Sequence, residues 1–137
     1  MPTQIHTTRV LAALVLAAAL TVFGPAAAQG HGGEAATARE PVVKDDPLRL
    51  AGAGIYATDR RHRQVRVTVC LEKRSSGDFV AVRCKTKTAD AKRLVARVHV
   101  PGCVRGLWRT TVSGEAQGAG GGWRHAATAT SDTFRCR

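Results

Sequence analysis

The residues of this chain best equipped for chemistry are its four cysteines, Cys70, Cys84, Cys103 and Cys136. Structural zinc sites bring ligands in close pairs such as C-x2-C. Here the nearest two cysteines are separated by the whole of "LEKRSSGDFVAVR", and His31, His62, His99 and His125 are scattered. The C-x-x-C spacing of thioredoxin-type redox chemistry is missing as well. What remains is pairing with one another. Joining Cys70 to Cys84 and Cys103 to Cys136 is the simplest of the three connectivities, and it makes "CLEKRSSGDFVAVRC" a stapled hairpin.

Hydrolytic chemistry needs a nucleophile, a base and a group that orients the base. Ser75, Ser76, Ser113, Ser131, His62, His99, His125 and Asp59 are of the right types, yet none stands in a motif such as G-x-S-x-G or H-E-x-x-H. The strand-forming region has no close pair of carboxylates, which counts against glycoside hydrolysis. No cofactor or metal is called for, and a small hydrolase is the second alternative to a non-catalytic role. The first is protease inhibition, with Lys73 or Arg74 of "EKRSSG" offered from a cysteine-bounded loop to the pocket of a trypsin-like enzyme.

Charge is the broadest signal. The chain has 21 Lys+Arg against 10 Asp+Glu, a formal net charge of +11. "DRRHRQVR" gathers Arg60, Arg61, Arg63 and Arg66, and "RCKTKT" adds Lys85 and Lys87; these are the candidate anion-binding residues. Such a surface suits anionic partners, including wall polymers such as teichoic acids, acidic polysaccharides, acidic lipids or extracellular DNA. The few aromatics are not interleaved with arginines as a stacking platform, so sequence-specific nucleic-acid binding is not expected.

The N-terminus says where this chemistry operates. Arg9 precedes an apolar run from Val10 to Phe23, then Gly24-Pro25 and Ala26, Ala27 and Ala28. This is the pattern of a secretory signal over 1–28, cleaved after Ala28, and no later stretch is apolar enough to span a membrane. An exported, oxidising setting agrees with two disulfides. Residues 29–48 lack periodicity and are expected to form a flexible tail, with one β domain over 49–137.

Within that domain the pattern is alternation. Val65, Val67, Val69 and Leu71 share one side of "QVRVTVCLEK", with Arg66, Thr68, Cys70 and Glu72 on the other. "RLVARVHV" behaves likewise, and "LAGAGIYAT", "DFVAVRCKT", "GLWRTTVS", "WRHAATAT" and "DTFRC" are further candidate strands. Turn signals fall at Asp59–Arg63, Ser75–Asp78, Lys87–Asp90, Pro101-Gly102 and "GEAQGAGGG". The spacing predicts an all-β fold, a small antiparallel sandwich or barrel-like domain. Trp108 and Trp123, about equally distant from the glycine-rich loop, are expected to face each other across it as core rings.

The hairpin contains a conflict of register. Cys70 opposite Cys84 sets Leu71 against Arg83, whereas the apolar pattern asks for Leu71 against Val82. A β-bulge near Cys70, or a link between two sheets, would reconcile the two.

Together, "VRVTVCLEKRSSGDFVAVRCKTKT", "GLWRTTVSG" and the terminal "FRCR" resemble small exported proteins of actinobacteria that have no assigned activity. That resemblance covers about residues 50–137, rests on Cys70, Cys84, Cys103, Cys136 and Trp108, and implies a two-disulfide β domain outside the cell. In size, export and four cysteines the chain is also similar to the small subtilisin inhibitors of actinobacteria. Their reactive loop follows directly on a cysteine, but here that position is "CVRGLWRTT", without the extended Pro-bearing segment. The expected role is therefore that of a secreted cationic binding or structural module at the cell surface or in the medium. The intact mass of the exported protein is expected to match residues 29–137 less four thiol hydrogens; retention of residues 1–28, or of free thiols, would contradict the export reading.

Overall fold

The structure is a computed structural model that describes residues 29–30 and 33–137. The signal sequence expected over 1–28 and His31 lie outside the described residues. Among the described residues nine strands follow in order: β1 (Gln29–Gly30), β2 (Glu34–Asp45), β3 (Leu48–Thr58), β4 (Val65–Ser75), β5 (Asp78–Ala89), β6 (Arg93–Pro101), β7 (Gly106–Gln117), β8 (Trp123–Thr130) and β9 (Phe134–Cys136). Among the described residues there is no helix. All strand ladders are antiparallel, in a large sheet of order β1-β8-β7-β4-β5, with β9 also on β7, and a small sheet of order β2-β3-β6. The all-β sandwich read from the alternation is thus the fold.

One expectation is corrected at the N-terminal side. The supposed flexible tail over 29–48 contains β2, a strand of 12 residues paired along β3 from Glu34↔Thr58 to Asp45↔Leu48. Its inward positions are Glu34, Ala36, Ala38, Pro41 and Val43, and all but the last are too small or too polar to leave a hydrophobic alternation in the sequence. The domain therefore begins before residue 49. The strands also run further into the predicted turns: β5 continues to Ala89, and β7 passes through Gly114, Glu115 and Ala116 to Gln117.

Both disulfides form as the simplest pairing has it, Cys70–Cys84 and Cys103–Cys136. A bulge is present, but one residue beyond the point of conflict. Cys70 pairs with Cys84 and Leu71 with Arg83, then Glu72 pairs with Ala81, so Val82 is the extra residue. The apolar demand goes unmet, however. Val80 and Val82 are 54% and 52% exposed, because β5 is the edge of its sheet and lies beyond the cover of the small one. Arg83, Lys85 and Lys87 pair with Leu71, Val69 and Val67, so these cations share the core-facing side of the sheet at its rim. Charges placed there oppose edge-to-edge association with another strand.

The core joins Leu50, Tyr56, Leu94, Ala96, Val98 and Val100 of the small sheet to Val65, Val67, Val69, Leu71, Trp108 and Val112 of the large one. Two glycine positions set how closely the sheets meet. A Cβ on Gly114 would collide with the ring of Tyr56, and one on Gly54 with Val112 and Val69. The predicted Trp108–Trp123 contact does not occur. Trp108 pairs with Phe134 and Lys73 at the opposite end of β7 from Trp123, which pairs with Gln117. Trp108 is buried and its Nε1 donates to the Val104 carbonyl at 2.8 Å, whereas Trp123 stays half-buried on the outer face.

Because overpacking a close-packed interior costs about 1–3 kcal/mol, Gly114→Ala is expected to lower stability by about 2 kcal/mol and Tm by roughly 10 °C in thermal melts. Gly120→Ala, where an added Cβ meets nothing within 4 Å, is expected to melt like the parent. Equal melting of the two variants would contradict this account of the sheet contact.

Candidate functional site

At one end of the sandwich a carboxylate is buried among partners from three segments. Glu34 opens β2 with its side chain fully buried. It accepts from Arg124 of β8, Nη2 at 2.8 Å and Nη1 at 3.2 Å, and lies 3.0 Å from His62 Nε2 on the β3–β4 loop. Thr58 Oγ1, at the end of β3, is 3.2 Å from the same nitrogen. Tyr56 points its hydroxyl into this group, buried and without a hydrogen bond of ordinary geometry. Burial pushes the Glu34 carboxyl upward, but the hydrogen bonds and charge of Arg124, aided by Tyr56 and His62, outweigh it and hold the pKa below the usual 4.5. Burial and the neighbouring Glu34 charge push the Tyr56 phenol up to about 12. Glu34 is therefore an anion and Tyr56 a neutral phenol near neutrality. Among the described residues no serine hydroxyl hydrogen-bonds a histidine; the hydroxyl beside His62 is that of Thr58.

The six cations singled out in the sequence do not form one surface. Arg60 and Arg61 line a pocket of about 350 Å³ with His62, Asp90, Ala91 and Lys92. Arg63 is exposed near the β7–β8 loop at Gly121. Arg66 lies on the outer face of the large sheet, where its Nε and Nη2 each donate to Glu115 at 2.7 Å and its guanidinium stacks 4.3 Å from the Trp123 ring centre. Its hydrogen bond to Glu115 pulls the Glu115 carboxyl below its ordinary pKa, with burial working against it. Lys85 and Lys87 sit on the opposite side of that sheet from Arg66. The basic residues are divided because Arg60, Arg61 and Arg63 lie on the β3–β4 loop, while strand alternation turns Arg66 to one face of the sheet and Lys85 and Lys87 to the other.

The same pairing recurs at the far end of that outer face. Arg109 donates to Glu72 at 2.7 Å and stacks 4.2 Å from the Phe79 ring centre. Between the two arginines lie Thr68, Thr86, Ser113 and Thr128, in register across four strands. The middle of this face is hydroxyl-rich, and Arg66 and Arg109 are matched there; Arg74 and Arg135, also on this side near its edges, are in no ion pair among the described residues.

The small sheet is the reverse. Its outward positions, read across β2, β3 and β6, are Ala35/Ala57/Arg93, Thr37/Ile55/Val95, Arg39/Ala53/Arg97 and Val42/Ala51/His99. Lys44 and Arg49 pair beyond them. Arg39, Arg93 and Arg97 surround a hollow of about 190 Å³ floored by Ala53, Ile55 and Val95. Strand geometry sets Arg39 and Arg97 about 10 Å apart, and Arg93 and Arg97 about 13 Å apart at the backbone. None of these arginines is in an ion pair among the described residues. No carboxylate occupies these outward positions; Glu40 sits in the β2 bulge. The sequence reading passed over this cluster. Arg39 fell in the supposed tail, while Arg93 and Arg97, four apart in an alternating strand, could have been placed on one face.

The inhibitor residues stand in the β4–β5 hairpin. Lys73 approaches the Trp108 ring at 6.0 Å, and Arg74, paired with Phe79, donates its Nε to the Gly77 carbonyl at 3.0 Å. The loop itself is only Ser76-Gly77, both at positive φ, so neither basic side chain is offered on an extended segment. Comparison with protein-family models, curated proteins and solved structures finds no match to this chain.

The Glu34 cluster carries a pH signature. A carboxyl with a lowered folded pKa stabilises the fold fully above its unfolded value, here 4.5, and the contribution is lost as pH falls through the lower folded value. Arg124→Ala leaves the carboxylate buried with only weaker partners and is expected to cost about 3 kcal/mol at neutral pH. Without the arginine, burial dominates and raises the carboxyl, so this deficit is expected to shrink near pH 4. Glu34→Gln is expected to cost less, since Arg124 is 43% exposed and reaches water. Chemical denaturation of the three proteins at both pH values checks the order; a larger Arg124→Ala deficit in acid would contradict it.

Proposed function

We propose that the protein is a non-catalytic binding module that holds an anionic polymer of the cell surface or surrounding medium against the outer face of its small sheet. The observation that supports this most is the trio Arg39, Arg93 and Arg97 around the floor of Ala53, Ile55 and Val95, on a face without opposing carboxylates. Cations held by rigid strands form such contacts with little further ordering of the chain. Arginine also binds carboxylate, sulfate and phosphate groups through two parallel N–H donors, and the alanine-lined centre lets a chain lie close to the sheet. His99, Lys44 and Arg49 extend the same face along the strands.

The disulfides agree with an oxidising compartment, and among the described residues no helix is long and apolar enough to cross a membrane. Binding of this kind is electrostatic, so it is expected to weaken about tenfold or more between roughly 50 and 200 mM salt. With a sulfated polysaccharide as probe, Arg39→Gln/Arg93→Gln/Arg97→Gln is expected to lose at least about tenfold in affinity, while Arg66→Gln, whose charge is already matched, changes it little. Salt-independent binding, or an unaffected triple variant, would overturn the proposal.

A further inference from the structure

The pocket lined by Arg60, Arg61, His62, Asp90, Ala91 and Lys92 uses none of the residues of the sheet face. Its two walls, the β3–β4 and β5–β6 loops, are joined where the Thr58 amide donates to the Lys92 carbonyl at 2.8 Å, and the first wall is braced locally by the Arg60 amide donating to Thr58 Oγ1 at 3.1 Å. His62 is held as well. Its side chain is only 8% exposed, with Nε2 turned to Glu34 and Thr58, so the ring borders the pocket in one fixed orientation. Nδ1 is the ring's remaining polar atom. The charges in the walls are three cations against one carboxylate.

We infer that this pocket is a second ligand site, which takes a phosphate group bearing a neighbouring hydroxyl, as in a polyol phosphate. Arg60, Arg61 and Lys92 supply the donors for the phosphate oxygens. A purely anionic ligand would leave Asp90 opposed, because an ionised carboxylate only accepts hydrogen bonds. A hydroxyl beside the phosphate turns that carboxylate from an obstacle into a partner, and the Ala91 wall suits the carbon chain between them. The volume of about 350 Å³ is at the lower end of small-molecule pockets, which fits a single such unit. The inference does not rest on polymer binding by the small sheet, and the two fail separately.

The test is calorimetric titration of the disulfide-bonded protein and its variants with glycerol phosphate, inorganic phosphate and sulfate, each variant first shown to melt like the parent. Glycerol phosphate is expected to bind at least about fivefold more tightly than either inorganic anion. Lys92→Gln is expected to weaken it about tenfold, corresponding to about 1.4 kcal/mol. Asp90→Asn is expected to abolish the preference over inorganic phosphate, and Arg39→Gln/Arg97→Gln to change nothing. Absence of binding, equal affinity for all three ligands, or full affinity in Lys92→Gln would overturn the site, whatever the sulfated polysaccharide does at the sheet face.

Discussion

The arrangement depends on how closely the two sheets meet at Tyr56 and Gly114. With only a hydrogen where β7 passes the ring, Tyr56 packs closely against the large sheet, and Gly54 lets Val112 and Val69 come close to β3. A small sheet of three strands has little apolar area of its own, so this contact is what makes one core of two layers. It also carries the Tyr56 hydroxyl to the end of the sandwich, where Glu34 gathers Arg124, His62 and Thr58. Packing in the middle thus places the polar cluster, and the cluster ties the start of β2 and the β3–β4 loop to β8. The cluster in turn fixes His62 against the basic pocket.

Charge is distributed by face rather than by segment. The outer surface of the large sheet neutralises its two central arginines locally, Arg66 with Glu115 and Trp123, Arg109 with Glu72 and Phe79. The outer surface of the small sheet leaves Arg39, Arg93 and Arg97 without such partners among the described residues. A guanidinium already bonded and stacked must give up those contacts to meet a ligand, whereas one facing solvent gives up only water. The two faces therefore differ in availability more than in number of cations. At the rim of β5 the cations have a further effect, since Arg83, Lys85 and Lys87 discourage pairing along that exposed edge.

Much of the fold was legible before any coordinates. Alternating valines in β4, alternating apolar residues in β6, and the cysteine spacing give strands and staples because strand periodicity and chain proximity are local properties. The bulge beside Cys70 followed from a clash between two local signals. β2 was missed for the opposite reason: alanines and a proline carry almost no hydrophobic contrast, and its identity as a strand comes from pairing with β3. The two tryptophans were misjudged because equal distance from a loop does not set register; the β7–β8 bulge and β9 decide which neighbours each ring has.

The sequence by itself determined the class of the molecule: an all-β chain with two disulfides, a large positive charge, and no local motif of hydrolytic or metal chemistry. These depend on composition and on neighbours along the chain. Only the tertiary structure decided which cations share a face. Arg39 and Arg97 flank β3, and Arg61 and Lys92 line one pocket from two loops, while Arg66 and Lys85, on neighbouring strands, face opposite sides of their sheet. Alternation separates adjacent side chains, and strand order brings distant ones within about 10 Å, so a surface site on a sheet is a property of pairing and not of sequence proximity.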